Sequence, residues 1–328
     1  MENLKVELAT LLRMFAVQEI PYLMFFLGAG ASARAGIPTA AEMVWMFKRA
    51  IYCTETGADP QAFRDLSVER YRQYLQAYFD NRGGFPPRGA DSEYSVYFDR
   101  CYPDPEVRRS FIRQLIRQGK PTIGHEYLAV LLAEGRCHWV WGTNFDDLVE
   151  SAERPDAAHR LCEVSPASGR RLSKIVAENT SPVLVKLHGD YRYDKLQNTE
   201  EELKSLDDEL RKYLLQTCKE NGLIVVGYSG RDESVMSSLE SAASEGCFRK
   251  GLYWCVREGD SIAEHVQNLM GKVIQQGGRG AFVEIASFDE FPFQIYRQSS
   301  LKDYEIDRKA EALFEQRRHF TVAKKRSS

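Results

Sequence analysis

The chain has no C-x-x-C pair. Its seven cysteines, Cys53, Cys101, Cys137, Cys162, Cys218, Cys247 and Cys255, are odd in number and scattered over 328 residues. That argues against a disulfide framework and a cysteine-built zinc site, and for a reducing compartment. Histidine is scarce too, six in all, and no H-x-x-x-H pair or Asp-x-Asp run offers a metal-ligand set. No apolar run approaches the roughly 20 residues that span a bilayer. The N-terminal MENLKVELATLLRMF lacks the apolar stretch and cleavage site of a signal peptide and reads as an amphipathic helix. The expected location is the cytoplasm, with no membrane contact. A G-x-x-x-x-G-K-[ST] phosphate loop and a G-x-S-x-G elbow are both missing, which removes P-loop nucleotide hydrolases and α/β-hydrolases. Excess basic charge is absent as well. The net charge is -3 and the pI about 6.1, so direct nucleic-acid binding is not expected.

What the chain has is apolar residues in a regular order. At 43% hydrophobic over 328 residues it can bury the core of one large α/β domain. YLMFFLG is the first clear strand, and a helical pattern follows from Ala40 to about Ile51. Tyr52 to Lys120 is rich in Tyr, Arg and Gln and shows no β-rich run. It reads as a helical insert with one mobile loop near Asn81 to Asp91, a candidate gate for a pocket. Beyond it, strands and helices alternate. HEYLAVLLAEG is a helix, HWVWGT a strand, NFDDLVESA the start of a helix and PVLVKLHG a strand. TEEELKSLDDELRKYLLQTCKEN is a long helix and GLIVVGY a strand. The helix in SGRDESVMSSLESAASEG, the strand GLYWCVRE, the helix in SIAEHVQNLMGKVIQQGG and the strand AFVEIAS complete the series. This alternation predicts an α/β fold: a Rossmann-like, doubly wound parallel sheet with a helical insert. The expected boundaries are a core at about 20–51 and 121–295, the insert at about 52–120, and a C-terminal helix and basic tail at about 300–328, all in one domain.

In such sheets ligands sit outside the carboxyl ends of the strands, and the unusual polar motifs fall there. In FFLGAGASARAGIP, Gly28, Gly30 and Ala33 fit G-x-G-x-x-[GA] after a strand. Gly28 permits a tight turn, Gly30 lets a pyrophosphate approach, and the helix N-terminus supplies free N–H groups. A dehydrogenase would carry an acidic residue on a second strand about 20 residues on. Helix and insert stand there instead, and Gly36-Ile37-Pro38 adds a second turn with Thr39 as a candidate N-cap. WGTNFDD ends the next strand; Thr143 or Asn144 can cap the following helix, but capping does not require Thr-Asn-x-Asp together. KLHGD places His188 at a strand end, where an imidazole suits proton transfer near neutral pH. In VVGYSGRDESV, Gly227 allows close approach, and Ser229 and Asp232 suit either a helix cap or ribose hydroxyls. His125 opens a helix and reads as a local hydrogen-bonding residue.

In this order, the motifs resemble the sirtuin-like NAD-binding family over roughly Tyr22 to Phe291. GAGASARAGIP is similar to its first NAD loop, the helix beginning at His125 to the segment before its second motif, and GTNFD, KLHGD and GYSGRD to its other site motifs. The chain departs from the protein deacetylases of that family in three ways. Their C-x-x-C zinc module is absent. Thr39-Ala40-Ala41 stands for Asp-Phe-Arg after GIP, and Thr143-Asn144-Phe145-Asp146 for Gln-Asn-Ile-Asp.

These departures resemble the bacterial anti-phage branch, whose members hydrolyse NAD. The resemblance implies Asn144 and His188 as the catalytic pair. It implies an NAD-binding set of Gly28, Ala29, Gly30, Ser32, Gly36, Pro38, Thr143, Asp146, Gly227, Ser229 and Asp232. NAD is then the substrate, with no cofactor beyond it and no zinc. In this scheme Asn144 orients the nicotinamide amide or a water. His188 holds a ribose hydroxyl or takes a proton from the attacking water. Asp146 stabilises developing positive charge or positions Asn144. Helix N-termini at Gly30 and Ser229 anchor the diphosphate and adenosine half. The implied function is depletion of NAD in abortive infection, regulated through a homo-oligomer or a partner protein such as an ATPase or sensor subunit. A non-catalytic NAD or ADP-ribose sensor and an NAD-dependent ADP-ribosyltransferase or deacylase are the alternatives.

Overall fold

Eight strands form one sheet in the order β1-β8-β7-β6-β2-β3-β5-β4, every pairing parallel. They are β1 Lys5–Val6, β2 Leu23–Leu27, β3 Cys137–Gly142, β4 Cys162–Val164, β5 Val183–Lys186, β6 Gly222–Val226, β7 Leu252–Arg257 and β8 Gly280–Ile285. The computed structural model describes residues 4–16, 23–90, 92–153, 160–165, 172–175, 182–188, 208–299, 301–308 and 311–312. From β2 the chain passes to β3 beside it, then to β4 at the edge, and returns to β5 between them; from β6 it winds the other way through β7 and β8. The β2/β6 junction is therefore the switch point at which such sheets open a ligand crevice.

The sheet is covered on both faces, so its strands read as unbroken apolar runs. Leu23, Phe25 and Leu27 enter one core with α1 (Leu8–Ala16), α7 (Ile123–Ala133) and α12 (Glu290–Gln298). Met24 and Phe26 enter the opposite core with α9 (Asp208–Glu220), α10 (Glu233–Ser244) and α11 (Glu264–Gln275). Alternation of side chains along a strand produces this split. Phe25 and Phe26 are fully buried, each contributing about 1.5–3 kcal/mol by removal from water.

The third core is helical. It unites α3 (Ala40–Thr56), α4 (Glu69–Arg82), α5 (Glu93–Cys101) and α6 (Pro105–Ile116), and it includes Ala35, Ile37 and Leu148 from the segments that follow β2 and β3. Thr39 caps α3 in a box with Glu42, and Asp104 caps α6 ahead of Pro105. The core is aromatic: Phe47 stacks on Phe98 at 4.7 Å and Phe79 meets Tyr97 edge-on at 5.1 Å.

Several expectations change. The N-terminal segment is not wholly helical, because Lys5–Val6 pairs with β8 at the sheet edge. The helix from Ala40 runs to Thr56 and packs in the helical core, not against the sheet. In the loop expected to be mobile, Phe85 stacks 5.0 Å from Tyr97 and Arg88 pairs with Glu69 at 2.8 Å. After β3, helix α8 spans only Leu148–Ser151. β4 went unread in the sequence, three residues being too few to show a pattern. Tyr22, the first part of the long helix (199–207) and the basic tail lie outside the described residues. No described helix is long and apolar enough to cross a membrane.

Candidate active site at the strand ends

Register brings the motifs together. Leu27 is level with Gly142 and with Val226, and Gly142 is level with Lys186. The residues that follow, Gly28, Thr143, Leu187 and Gly227, therefore leave the sheet in one row. The ladder continues into them: Thr143 N donates to Leu27 O (3.1 Å), Leu187 N to Gly142 O (2.9 Å) and Gly28 N to Val226 O (3.0 Å).

The two glycine turns cross at the switch point. A Cβ on Gly28 would lie 2.5 Å from Tyr228 Cα, one on Gly30 2.8 Å from Gly227 Cα, and one on Gly227 2.4 Å from Ala31 N. Gly30 N donates to Gly227 O at 2.8 Å. The glycines are thus required by each other's backbone, and the Gly30 N–H expected to face a phosphate is already engaged. Gly28 has an extended backbone, φ -111 and ψ 179, and the helix after it, α2, is Ala29–Ser32 only. The left-handed positions in these motifs are Gly36, Gly227 and Gly230, φ 90, 69 and 80. The Gly36-Ile37-Pro38 turn docks on the helical core: Lys120 N donates to Ala35 O at 3.1 Å, and Ile37 sits against Gly119.

Beside this crossing, Ser32, Asn144 and Asp146 form a chain. Ser32 Oγ donates to Asp146 Oδ2 at 2.6 Å. Asn144 Nδ2 donates to Ser32 Oγ at 2.9 Å and to Gly28 O at 3.1 Å. The direction of each bond is forced. A carboxylate and a carbonyl only accept, so Ser32 gives its proton to Asp146 and receives one from Asn144. Both Asn144 amide hydrogens are spent, and the half-buried side chain has only its Oδ1 acceptor left to present. Neither Thr143 nor Asn144 caps α8, whose N-cap position is Asp147.

A buried lysine supports this loop. Lys186, 2% exposed, donates to Asp146 O at 2.7 Å and pairs with Glu150 at 2.6 Å. None of the motifs in the sequence calls for this lysine; its one signal there is a charge inside the apolar strand VLVK. His188, also buried, has Nε2 2.6 Å from Asp232 Oδ2. Its ring lies 6.3 Å from that of Phe145, which ties it to the Asn144 loop. Asp232 is the N-cap of α10, accepting from Val235 N at 3.1 Å and Ser234 Oγ at 2.7 Å. The helix thus begins at Glu233, four residues after the helix N-terminus expected at Ser229, and Ser229 stands in an exposed loop. Burial pushes the Asp232 carboxyl up, but His188, the Ser234 hydroxyl and the Val235 amide together hold it below the usual carboxylate range.

His125 lies behind the site and is buried. Its Nδ1 accepts from Thr122 N at 3.1 Å, the local role expected of it. Burial lowers its pKa, opposed by the charges of Asp146 and Asp289. An unfolded imidazole titrates near 6.5. A depressed folded pKa therefore contributes stability that is full above about pH 6.5 and is lost as pH falls from there towards the folded value. Tm is expected to decline as pH falls below about 6.5, and less steeply in His125→Gln, where Gln keeps the acceptor for Thr122. Equal slopes in the two proteins would remove His125 as the cause.

The fold and these residues define a parallel α/β protein with a cluster of polar side chains at its switch point. Residues 138–275 match the model of the SIR2-like domain. That span holds Asn144, Asp146, His188 and Asp232 and is less than half of the chain. No curated protein matches. Among solved structures the chain is similar to one described as giving the basis for mechanism and regulation of Sir2 enzymes, with TM-score 0.44, 14% identity, and 94% of this chain and 99% of that one covered. It is similar also to a Sir2 homologue mutant in complex with 2'-O-acetyl ADP ribose (0.46, 16%, 89% and 98%). A third is Sir2Tm bound to a propionylated peptide (0.42, 15%, 89% and 98%). At such distances no residue role transfers from them. Among the described residues no three His, Cys, Asp or Glu side chains cluster as metal ligands, and the seven cysteines are free thiols.

Proposed function

We propose that the crevice binds NAD and hydrolyses its nicotinamide–ribose bond, giving nicotinamide and ADP-ribose. The observation that carries this is the polarity of Asn144: both of its hydrogens are committed to Gly28 O and Ser32 Oγ, so it offers an acceptor oxygen. An acceptor can orient a water through one of its hydrogens or hold a ribose hydroxyl; it does not compete as a donor for the leaving group. In the step, the C1'–N bond breaks with its electron pair passing to the nicotinamide nitrogen. Water oxygen bonds C1', and the proton it loses goes to His188. Positioning and proton removal suffice here because the pyridinium is already a good leaving group. Asp146 acts two hydrogen bonds away, by fixing Ser32 and through it Asn144.

Exposed Ser229 and half-buried Ala29, Pro38 and Thr143 are the remaining proposed contacts, with Gly36 shaping the second turn. Gly28, Gly30 and Gly227 shape the crevice where the diphosphate would cross the switch point. Depletion of cellular NAD in defence against phage, under control of self-assembly or a partner protein, is the proposed setting.

Purified protein incubated with NAD, alone and with proteins encoded beside it, is expected to release nicotinamide and ADP-ribose in equal amounts. Asn144→Ala and His188→Ala are each expected to cut turnover by about 10²–10⁴-fold with the fold intact by circular dichroism. Full activity in both variants would remove the site assignment. Tight NAD binding with no turnover in any state would make the protein a sensor. Transfer of label from NAD to protein would make it a transferase.

A further inference from the structure

We infer that Asp232 is a positioning residue which fixes the tautomer of His188, so that Nδ1 is the nitrogen that accepts the proton. The inference rests on the hydrolase reading for its kinetic consequence but not for its geometry. Asp232 divides its two carboxylate oxygens between two tasks. Oδ1 caps α10 through Val235 N and Ser234 Oγ. Oδ2 faces Nε2 of His188 at 2.6 Å, with both atoms shut off from solvent. A contact that short is attractive only if the ring atom carries a proton towards the carboxylate; a lone pair or a carbon there would be repelled. The carboxyl is held in its ionised form, so in the neutral imidazole the proton belongs on Nε2 and the lone pair on Nδ1. The two atoms are close but not aligned as a hydrogen bond.

Among the described residues no partner holds Nδ1. It is the one nitrogen of His188 that can meet the water placed by Asn144, and the loop between them is in contact through Phe145. On proton transfer the water O–H bond breaks, its electron pair is retained by the oxygen bonding C1', and Nδ1 gains the proton. The resulting imidazolium is then stabilised by Asp232. In the sequence Asp232 suits either ribose hydroxyls or a helix cap. It is a cap, and its second oxygen is committed inward.

The dual role makes a selective test available. Asp232→Asn keeps Oδ1 as the cap acceptor, since Asn caps as well as Asp, but turns an N–H₂ towards Nε2 and so favours the opposite tautomer. Loss of the carboxylate that orients a catalytic imidazole lowered kcat by about 10⁴ in the serine-protease triad, with geometry preserved. In the full chain, Asp232→Asn is expected to keep the Tm of the parent within about 2 °C, keep KM for NAD within about threefold, and lower kcat at least 100-fold.

With ¹⁵N-histidine labelling, the His188 resonances, assigned by their loss in His188→Ala, are expected to report Nε2–H in the parent and to shift towards Nδ1–H in Asp232→Asn. An unchanged ¹⁵N pattern in Asp232→Asn overturns the inference whatever the activity. So does parent-like kcat. If the parent shows the Nε2–H pattern and loses it in Asp232→Asn but turns over no NAD, the tautomer assignment stands and the hydrolase reading fails.

Discussion

Gly28→Ala is expected to lower Tm by roughly 5–10 °C and to abolish NAD handling, although alanine is the smallest side chain available. The added Cβ would lie 2.5 Å from Tyr228 Cα and 2.6 Å from Gly227 O. Both neighbours are backbone, so no rotamer change relieves the overlap, and the β2 and β6 turns must move apart. That breaks Gly28 N to Val226 O and Gly30 N to Gly227 O, and displaces the Gly28 carbonyl on which Asn144 depends. Gly227→Ala carries the same clash from the other side, 2.4 Å to Ala31 N, with left-handed strain at φ 69 added. Gly36→Ala is the contrast. Its φ is 90 but no atom lies within 4 Å of the new Cβ, so only backbone strain of about 1–2 kcal/mol is expected. Thermal melts and NAD calorimetry on the three variants check this order. A Gly28→Ala protein as stable as Gly36→Ala would show that the crossing yields easily.

The sheet was legible because its strands are apolar runs with period-two partition between two cores, bounded by Gly and polar residues. Thr39 as a cap was legible for the same local reason. Tertiary choices were not. The meaning of Gly28 and Gly30 depends on Gly227, some two hundred residues away, and a ligand-binding turn and a backbone crossing ask for the same residue. Likewise Asp232 satisfies the pattern for a cap, a ribose contact and a histidine partner; only the register that sets Val226 level with Leu27, and Gly142 with Lys186, decides which oxygen meets what. The short strands Lys5–Val6 and Cys162–Val164 are defined by pairing with β8 and β5, and two or three residues carry no period of their own. In NFDDLVESA the helix opens only at Leu148: Asn144 is turned back to Gly28 and Ser32, and Asp146 divides its carboxylate between Ser32 Oγ and the Leu148 N–H.

The second large effect is expected in the helical core. Lys48 is fully buried, lies 4.4 Å from the Trp45 ring centre and 4.7 Å from that of Tyr97, and donates to Glu93 and, at 2.6 Å, to Gln76. Burial lowers its pKa, while Glu93 pulls the other way. Removing one partner of such a pair leaves a buried charge alone, so Lys48→Ala is expected to destabilise by about 3–5 kcal/mol. Replacing both charges costs far less. In Lys48→Met with Glu93→Gln, the glutamine oxygen still accepts from Gly89 N, as Glu93 does at 2.9 Å, and the methionine fills the lysine stem's path, so most of the loss is expected to return. Hydrogen exchange separates the consequences. Ala35, Ile37 and Leu148 belong to this same core, so the single variant is expected to speed exchange in α3 to α6 and in the segments at Ala35 and Leu148, while β2 and β6 keep their protection. Uniform loss of protection across helices and sheet would mean that the helical core and the sheet unfold as one unit, and that the segments following β2 and β3 have no separate dependence on Lys48.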